Sequence, residues 1–271
     1  MLLDIDYYPR QGYVAYKDAY MCFLPTSPLD HWVQSFWQLN VPIGKFSYHS
    51  VPDNSVDWII NLDCPEDNFI VPPFLSSIVF ELTGPISYFG IRFRLLGHQG
   101  LISTPVGEWE AVDDAAKATD LLPGHVLHAV FESLKKTERF DDRCKILSES
   151  LLSMIKYPGV DPRVVRYIRY CYKNTTSNIS LSDKQCSEFG VSARQLRRLT
   201  QLHLGLLPKD FARVLRFQRT LNSLSSGGHK TAWIDHYYDQ PHYIREFKRL
   251  SGVTPTEFGN MSVLYNHRSR G

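Results

Sequence analysis

Hydrophobic and polar positions divide the chain into two kinds of text. From Tyr13 to about Leu96 short runs rich in Val, Ile, Phe, Tyr and Trp are punctuated by Pro, Asn, Asp and Gly, as strands separated by turns would be. Tyr48–Val51, Val56–Leu62, Ile78–Thr83 and Tyr88–Leu95 are the clearest, with Pro52-Asp53-Asn54 and Cys64-Pro65-Glu66-Asp67 as turn material. In the last run Phe89, Ile91, Phe93 and Leu95 alternate with Tyr88, Gly90, Arg92 and Arg94, so one face is apolar and the other carries both arginines. After Gly97 the period lengthens to that of helices, first in Leu121–Lys135 and Asp142–Lys156. In the second of these Ile146, Leu147, Leu151, Met154 and Ile155 form one stripe, which either packs on its own domain or meets a second subunit. From Asp161 onward the pattern predicts short helices near 161–173, 183–189, 192–203, 207–224, 230–235, 239–250 and 255–264, with loops at 174–178 and 225–228. Ser182 with Gln185 forms a candidate capping box, and Pro162 suits a first helical turn.

The fold class that follows is a two-domain α+β chain. Residues 1–157 are expected to form a β-barrel or cupin-like domain with appended helices, and residues 158–271 an all-α domain, divided at Pro158-Gly159. Charge sharpens the division. The whole chain has 30 basic and 28 acidic side chains in 271 residues, a net charge of only +2. Residues 1–157 hold 12 basic and 20 acidic side chains, net −8, whereas residues 158–271 hold 18 and 8, net +10. Near-neutrality is a cancellation, and the basic half is the one suited to a polyanion.

Within that half a pattern recurs 47 residues apart: Arg198, Gly205, Pro208 and Phe211 return as Arg245, Gly252, Pro255 and Phe258. A Gly ends one helix, a Pro opens the next and a Phe anchors it, so the repeat is a helix, a turn and a helix used twice. The helix before each Gly reads SARQLRRLTQLHLG and then DQPHYIREFKRLSG. In the first copy Leu196, Leu199 and Leu202 mark the inner face, leaving Arg194, Arg197, Arg198 and Gln201 to project. In the second Tyr243, Phe247 and Leu250 point inward, leaving Gln240, His242, Arg245 and Arg249. Arg and Gln are the side chains that bond base edges and phosphates in bidentate fashion. Two helix-turn-helix units, about 180–205 and 229–252, joined by the Gly-free stretch Leu207–Leu224, suit successive major grooves about 34 Å apart.

These residues resemble a known family. CSEFGVSARQLRRLTQLHLGLLPKDFARVLRFQR followed by YYDQPHYIREFKRLSGVTPTEF is similar to the DNA-binding domain of AraC/XylS-type bacterial transcription regulators, over roughly residues 160–262. The acidic domain, with VPDNSVDWIINL and YFGIRFRLLG, resembles the barrel-like sensing and dimerisation domains of the same family. The resemblance implies base-reading positions at Arg194, Arg197 and Arg198 in the first recognition helix and at Gln240, His242 and Arg245 in the second. Each arginine is alternatively a phosphate contact or a solvated charge, and Arg198 and Arg245 are alternatively salt-bridge partners. Lys209, Arg213, Arg216 and Lys248 are phosphate contacts or surface charge. Three departures stand out: His236 where the family has a Gly, Thr200 where the second copy has Phe247, and Gln185 at an apolar position, while Cys186 fits a small core site.

The resemblance also implies a double-stranded DNA partner, control by a small-molecule effector, RNA polymerase as a partner if the chain is an activator, and a homodimer. Candidate effector residues are Trp37, Tyr48 and Trp58 in an aromatic barrel interior, with Arg92 turned inward towards an anionic ligand, towards Asp57 or towards solvent. The alternative is a regulator controlled by a protein partner or by dimerisation alone, and a filled barrel would argue against a metabolite held inside it. Other classes find no support. No apolar run of about 18 residues offers a membrane span. The opening MLLDIDYYPR lacks the charge and apolar stretch of a secretory signal, and the five scattered cysteines form no C-x-x-C pair. The expectation is a cytoplasmic chain with reduced thiols. No H-E-x-x-H, phosphate loop or G-x-S-x-G occurs, and the histidines cluster with no carboxylate or thiol. Neither an enzyme nor a metal or other cofactor is expected. A zinc-cysteine repair regulator is set aside because Cys22, Cys64 and Cys144 lie far apart.

Overall fold

A computed structural model of the chain describes residues 5, 7–10, 12–14, 19–111, 114–157, 159–174, 181–225, 237–259 and 263–264. Strands β1 (Gly12–Val14), β2 (Tyr20–Phe23), β3 (Val33–Ser50), β4 (Val56–Asn61), β5 (Asn68–Val71), β6 (Ile78–Phe93) and β7 (Ala116–Lys117) lead into helices α1 (Ala118–Leu121), α2 (Gly124–Lys135) and α3 (Phe140–Met154). The helical domain follows as α4 (Pro162–Lys173), α5 (Asp183–Glu188), α6 (Ala193–Leu204), α7 (Pro208–Ser225), α8 (Gln240–Ser251) and α9 (Pro255–Gly259), and β8 (Val263–Leu264) returns to pair with β1. The helix expected at 230–235, His236 and Pro158 lie outside the described residues.

All ladders are antiparallel, in the order β7-β5-β4-β6-β3-β1-β8 with β2 on β3. The expected β-domain is present. Among the described residues no ladder closes this linear order into a ring. Two runs expected as separate strands, Ile78–Thr83 and Tyr88–Leu95, form the single strand β6, which pairs with β3 along its length from Val33↔Phe93 to Ser50↔Ile78. The interior side of the sheet is filled by Phe36, Trp58, Ile60, Ile70, Phe89, Ile91 and Phe93, and α2 and α3 cover it with Val126, Val130, Leu134, Cys144, Leu147 and Leu151. The amphipathic stripe of α3 is therefore spent within its own domain. Among the described residues the cysteines are all free thiols, and Cys144, Cys171 and Cys186 are buried.

The helical domain has two cores, and both borrow residues from the β-domain. One joins Tyr167, Ile168, Cys186, Phe189, Leu196, Leu199 and Phe211 to Ile5, Leu95 and Leu96. The other joins Val214, Phe217, Leu221, Tyr243, Phe247 and Leu250 to Val51, with Leu75 packed against both cores. Helix α7 contributes to each, so it is one rigid body shared by the two halves, roughly 27 Å long at 1.5 Å per residue. Polar groups complete the seam. Gln218, fully buried on α7, donates to Pro52 O at 2.7 Å and Arg10 O at 3.1 Å and accepts from Arg10 N at 2.8 Å, while Asn54 Nδ2 donates to Phe211 O at 3.1 Å.

Candidate nucleic-acid interface

Helix α6 begins where its sequence stops it from fraying. Ser192 Oγ accepts from Gln195 N at 3.3 Å and Gln195 Oε1 accepts from Ser192 N at 2.9 Å, a complete capping box that satisfies two amides of the first turn. The helix ends at Gly205, whose φ of 68° lies in the left-handed region that a glycine adopts without strain. Leu196, Leu199, Thr200 and Leu204 are buried, and Arg194, Arg197, Arg198 and Gln201 are exposed. Thr200, which replaces an aromatic, is fully buried with its hydroxyl donating to Arg197 O at 3.2 Å, so it is a core residue of a smaller kind.

Helix α8 is built on the same plan. Asp239 caps it by accepting from His242 N at 2.7 Å, and Gly252 ends it at φ 80°. Tyr243, Phe247 and Leu250 are buried, with Phe247 packed edge-on against Phe217, Tyr243 and Phe258. Gln240, Arg245, Lys248 and Arg249 are exposed.

The two recognition faces therefore carry Arg194, Arg197, Arg198 and Gln201 on α6 and Gln240, Arg245, Lys248 and Arg249 on α8. Among the described residues none of Arg194, Arg197, Arg198 and Arg245 makes an ion pair, and Lys209 is exposed on α7. Their guanidinium groups keep all their donors for an outside acceptor. Three other candidates are engaged internally. His242 Nε2 lies 3.0 Å from Glu246 Oε2, Glu246 Oε1 lies 2.7 Å from Arg213 Nε, and Arg213 reaches Asp210 at 2.8 Å, a chain that ties α8 to α7. Arg216 lies over the Tyr237 ring. Arg213 is thus a brace between helices; its spacing to Asp210 was visible, but Glu246 is brought to it only by the fold.

The effector candidates are placed elsewhere. Trp58 is fully buried and its indole N–H donates to Asn68 Oδ1 at 3.1 Å; Trp37 donates to Asp57 Oδ1 at 2.9 Å. Tyr48 stacks on Phe80, and burial pushes its hydroxyl well above the usual range. Arg92 is buried, and its donors go to Asp53 and to both oxygens of Asp57, at 3.0 and 2.6 Å. Burial opposes its charge, and the two carboxylates outweigh that, holding the guanidinium charged. The anionic partner left open for Arg92 is thus the protein's own acid pair. The four do not share one interior: Trp58 lies in the packed core beneath α2 and α3, whereas Trp37 and Tyr48 belong to a separate cluster with Leu39, Val41 and Phe46, and the two cavities described, of about 10 and 410 Å³, are lined by other side chains.

Residues 185–261 match the family of helix-turn-helix domains. This region is an AraC-type helix-turn-helix domain. The match covers the AraC-type domain from within α5 through α9, and so includes both capped, arginine-bearing helices. Residues 21–113 match a domain of unknown function, DUF6597. No curated protein matches the sequence significantly. Among solved structures, ToxT from Vibrio cholerae is similar at 12% identity, covering 94% of this chain and 99% of that one with a TM-score of 0.42. An unsaturated fatty acid-bound ToxT of strain SCE256 is similar at 12% identity, 94% of each chain and a TM-score of 0.40. The AraC-like transcriptional activator CuxR is similar at 13% identity, covering 73% and 85%, with a TM-score of 0.19. The assignment rests on the domain match and on the geometry of α6 and α8.

Among the described residues no helix is long and apolar enough to cross a membrane, and no group of three or more His, Cys, Asp or Glu is disposed to hold a metal.

Proposed function

We propose that the chain is a sequence-specific transcription regulator that inserts α6 and α8 into successive major grooves and is controlled through its β-domain by a small-molecule effector. The observation that carries this reading is the pair of capped helices, each with a buried apolar face and an outer face of exposed Gln and of arginines free of ion pairs, mounted on one rigid helix. Arg194, Arg197, Arg198, Gln240 and Arg245 are the base readers. Lys209 and Lys248 contact phosphates. His242, held by Glu246, takes part in base reading only by releasing that contact, and so ranks behind Arg245. The chain acts in the cytoplasm, pairs as a homodimer on its operator, and as an activator meets RNA polymerase there.

Selection of bound sequences from random DNA with the full chain tests the proposal, and the variants follow on the selected operator. Arg245→Ala is expected to cost about 1–3 kcal/mol on the operator and little on random DNA, whereas Lys209→Ala weakens both alike and reduces the salt slope by about one. Enrichment of no motif, or equal losses for both variants on both DNAs, would reject base reading by α8.

A further inference from the structure

A cleft of about 410 Å³ opens where the β-domain meets the first recognition helix, a volume in the range of small-molecule sites. Its floor is apolar, formed by Leu101, Ile102 and Met154, and its rim carries Lys156, His125 and His203, the last from α6. No Asp or Glu is among its described lining residues. Lys156 is held at the mouth by its backbone N–H on Gly100 O at 2.9 Å, while its ammonium group, exposed, makes no ion pair among the described residues. A cation and two imidazoles around an apolar floor, with no carboxylate in the lining and the nearby Asp161 already paired with Arg163 at 2.6 Å, complement a molecule that is anionic at one end and hydrophobic at the other.

The same cleft touches the reading head. Gln99 Nε2 lies 3.5 Å from His203 Nδ1, and the turn at 106–108 rests directly on the last turn of α6. A Cβ on Gly107 would stand 2.4 Å from Gln201 O, and one on Gly205 2.7 Å from Val106 Cγ1, so no slack separates the turn from the helix. Next to Gln99, His98 is buried with neither ring nitrogen hydrogen-bonded, and it shares with His203 a second void of about 10 Å³. The seam is closely packed yet incompletely satisfied, which is what a junction that rearranges on ligand binding requires.

We propose that this cleft binds a small organic acid as its anion, the carboxylate against Lys156 and the imidazoles and the apolar body over Leu101 and Ile102, and that occupancy shifts α6 and so DNA affinity. The second half rests on the regulator reading above; the first does not. The test uses the full chain without DNA, titrated with benzoate, 4-phenylbutyrate and octanoate, each beside its primary alcohol. At least one acid is expected to bind saturably and raise the melting temperature while its alcohol does not. Lys156→Glu, at an exposed position, and Ser103→Trp, which fills the cleft, should each weaken that acid by about tenfold or more. No saturable binding by any acid, equal binding by the alcohols, or undiminished binding in both variants would overturn the site. The bound acid should then change affinity for the selected operator several-fold in the parent and not in Lys156→Glu. Binding with no change on DNA would overturn the coupling alone. A ligand-free chain that enriches no operator would instead count against the regulator reading.

Discussion

His98 shows how far a single side chain departs from its ordinary chemistry in this fold. Burial, reinforced by the neighbouring His203, lowers its pKa to about 3. Between that value and the usual 6.5 the unfolded chain binds a proton that the folded chain refuses, so stability falls as pH drops through the window, by up to about 1.4 kcal/mol per pH unit. Asp53 contributes the opposite slope: burial, against the pull of Arg92, raises its carboxyl from 3.8 to about 6, and the folded chain holds the extra proton there. His98→Phe compared with the parent at each pH isolates the histidine. The variant should lose the acid-side slope and, relieved of two unsatisfied nitrogens, unfold at neutral pH with stability unchanged or raised by about 1–3 kcal/mol in urea titrations. An unchanged slope would mean that His98 is protonated in the folded chain. Nothing in the run LLGHQG distinguished this histidine; its burial comes from α6 and Trp109, which lie close only in space.

At the scale of elements the capping and ending signals were legible because they are local. Ser192, Gln195 and Gly205 act within one helix, as do Asp239 and Gly252, and their geometry follows from residues three or four positions apart. Ser192→Ala should destabilise the chain by about 1 kcal/mol and weaken operator binding by loosening the turn that holds Arg194, checked by urea unfolding and by binding at matched folded fraction. Gly205→Ala should cost more, since it adds a left-handed alanine and a clash with Val106. What was not legible is which arginines are free. Arg213 and Arg245 are equally exposed to inspection in the sequence, but only α7 packing on α8 brings Glu246 to Arg213 and leaves Arg245 open. The merging of two expected strands into β6 has a similar cause: Gly84-Pro85 reads as a turn, yet its ladder partner β3 continues past it.

For the whole molecule the decisive feature is that the two domains share cores. Val51, the α7 residues Val214, Phe217 and Leu221, and the Gln218 amide form one continuous seam, so thermal unfolding of the full chain should give a single calorimetric transition, and two separated transitions would contradict the shared packing. Gln218→Leu should lower stability by about 1–3 kcal/mol, because it leaves the buried Pro52 carbonyl without its donor. The division of charge, the 47-residue repeat and the capped arginine helices are properties of residue order, and the sequence alone determined them, since each depends on neighbours a few positions away or on a direct count. The fate of Arg92, the bracing of Arg213 by Glu246 and the cleft beside α6 were decided by tertiary structure. Their partners stand from 33 to 104 positions apart, and whether a charge meets a carboxylate, a core or open solvent depends on which surfaces the packed domains bring together.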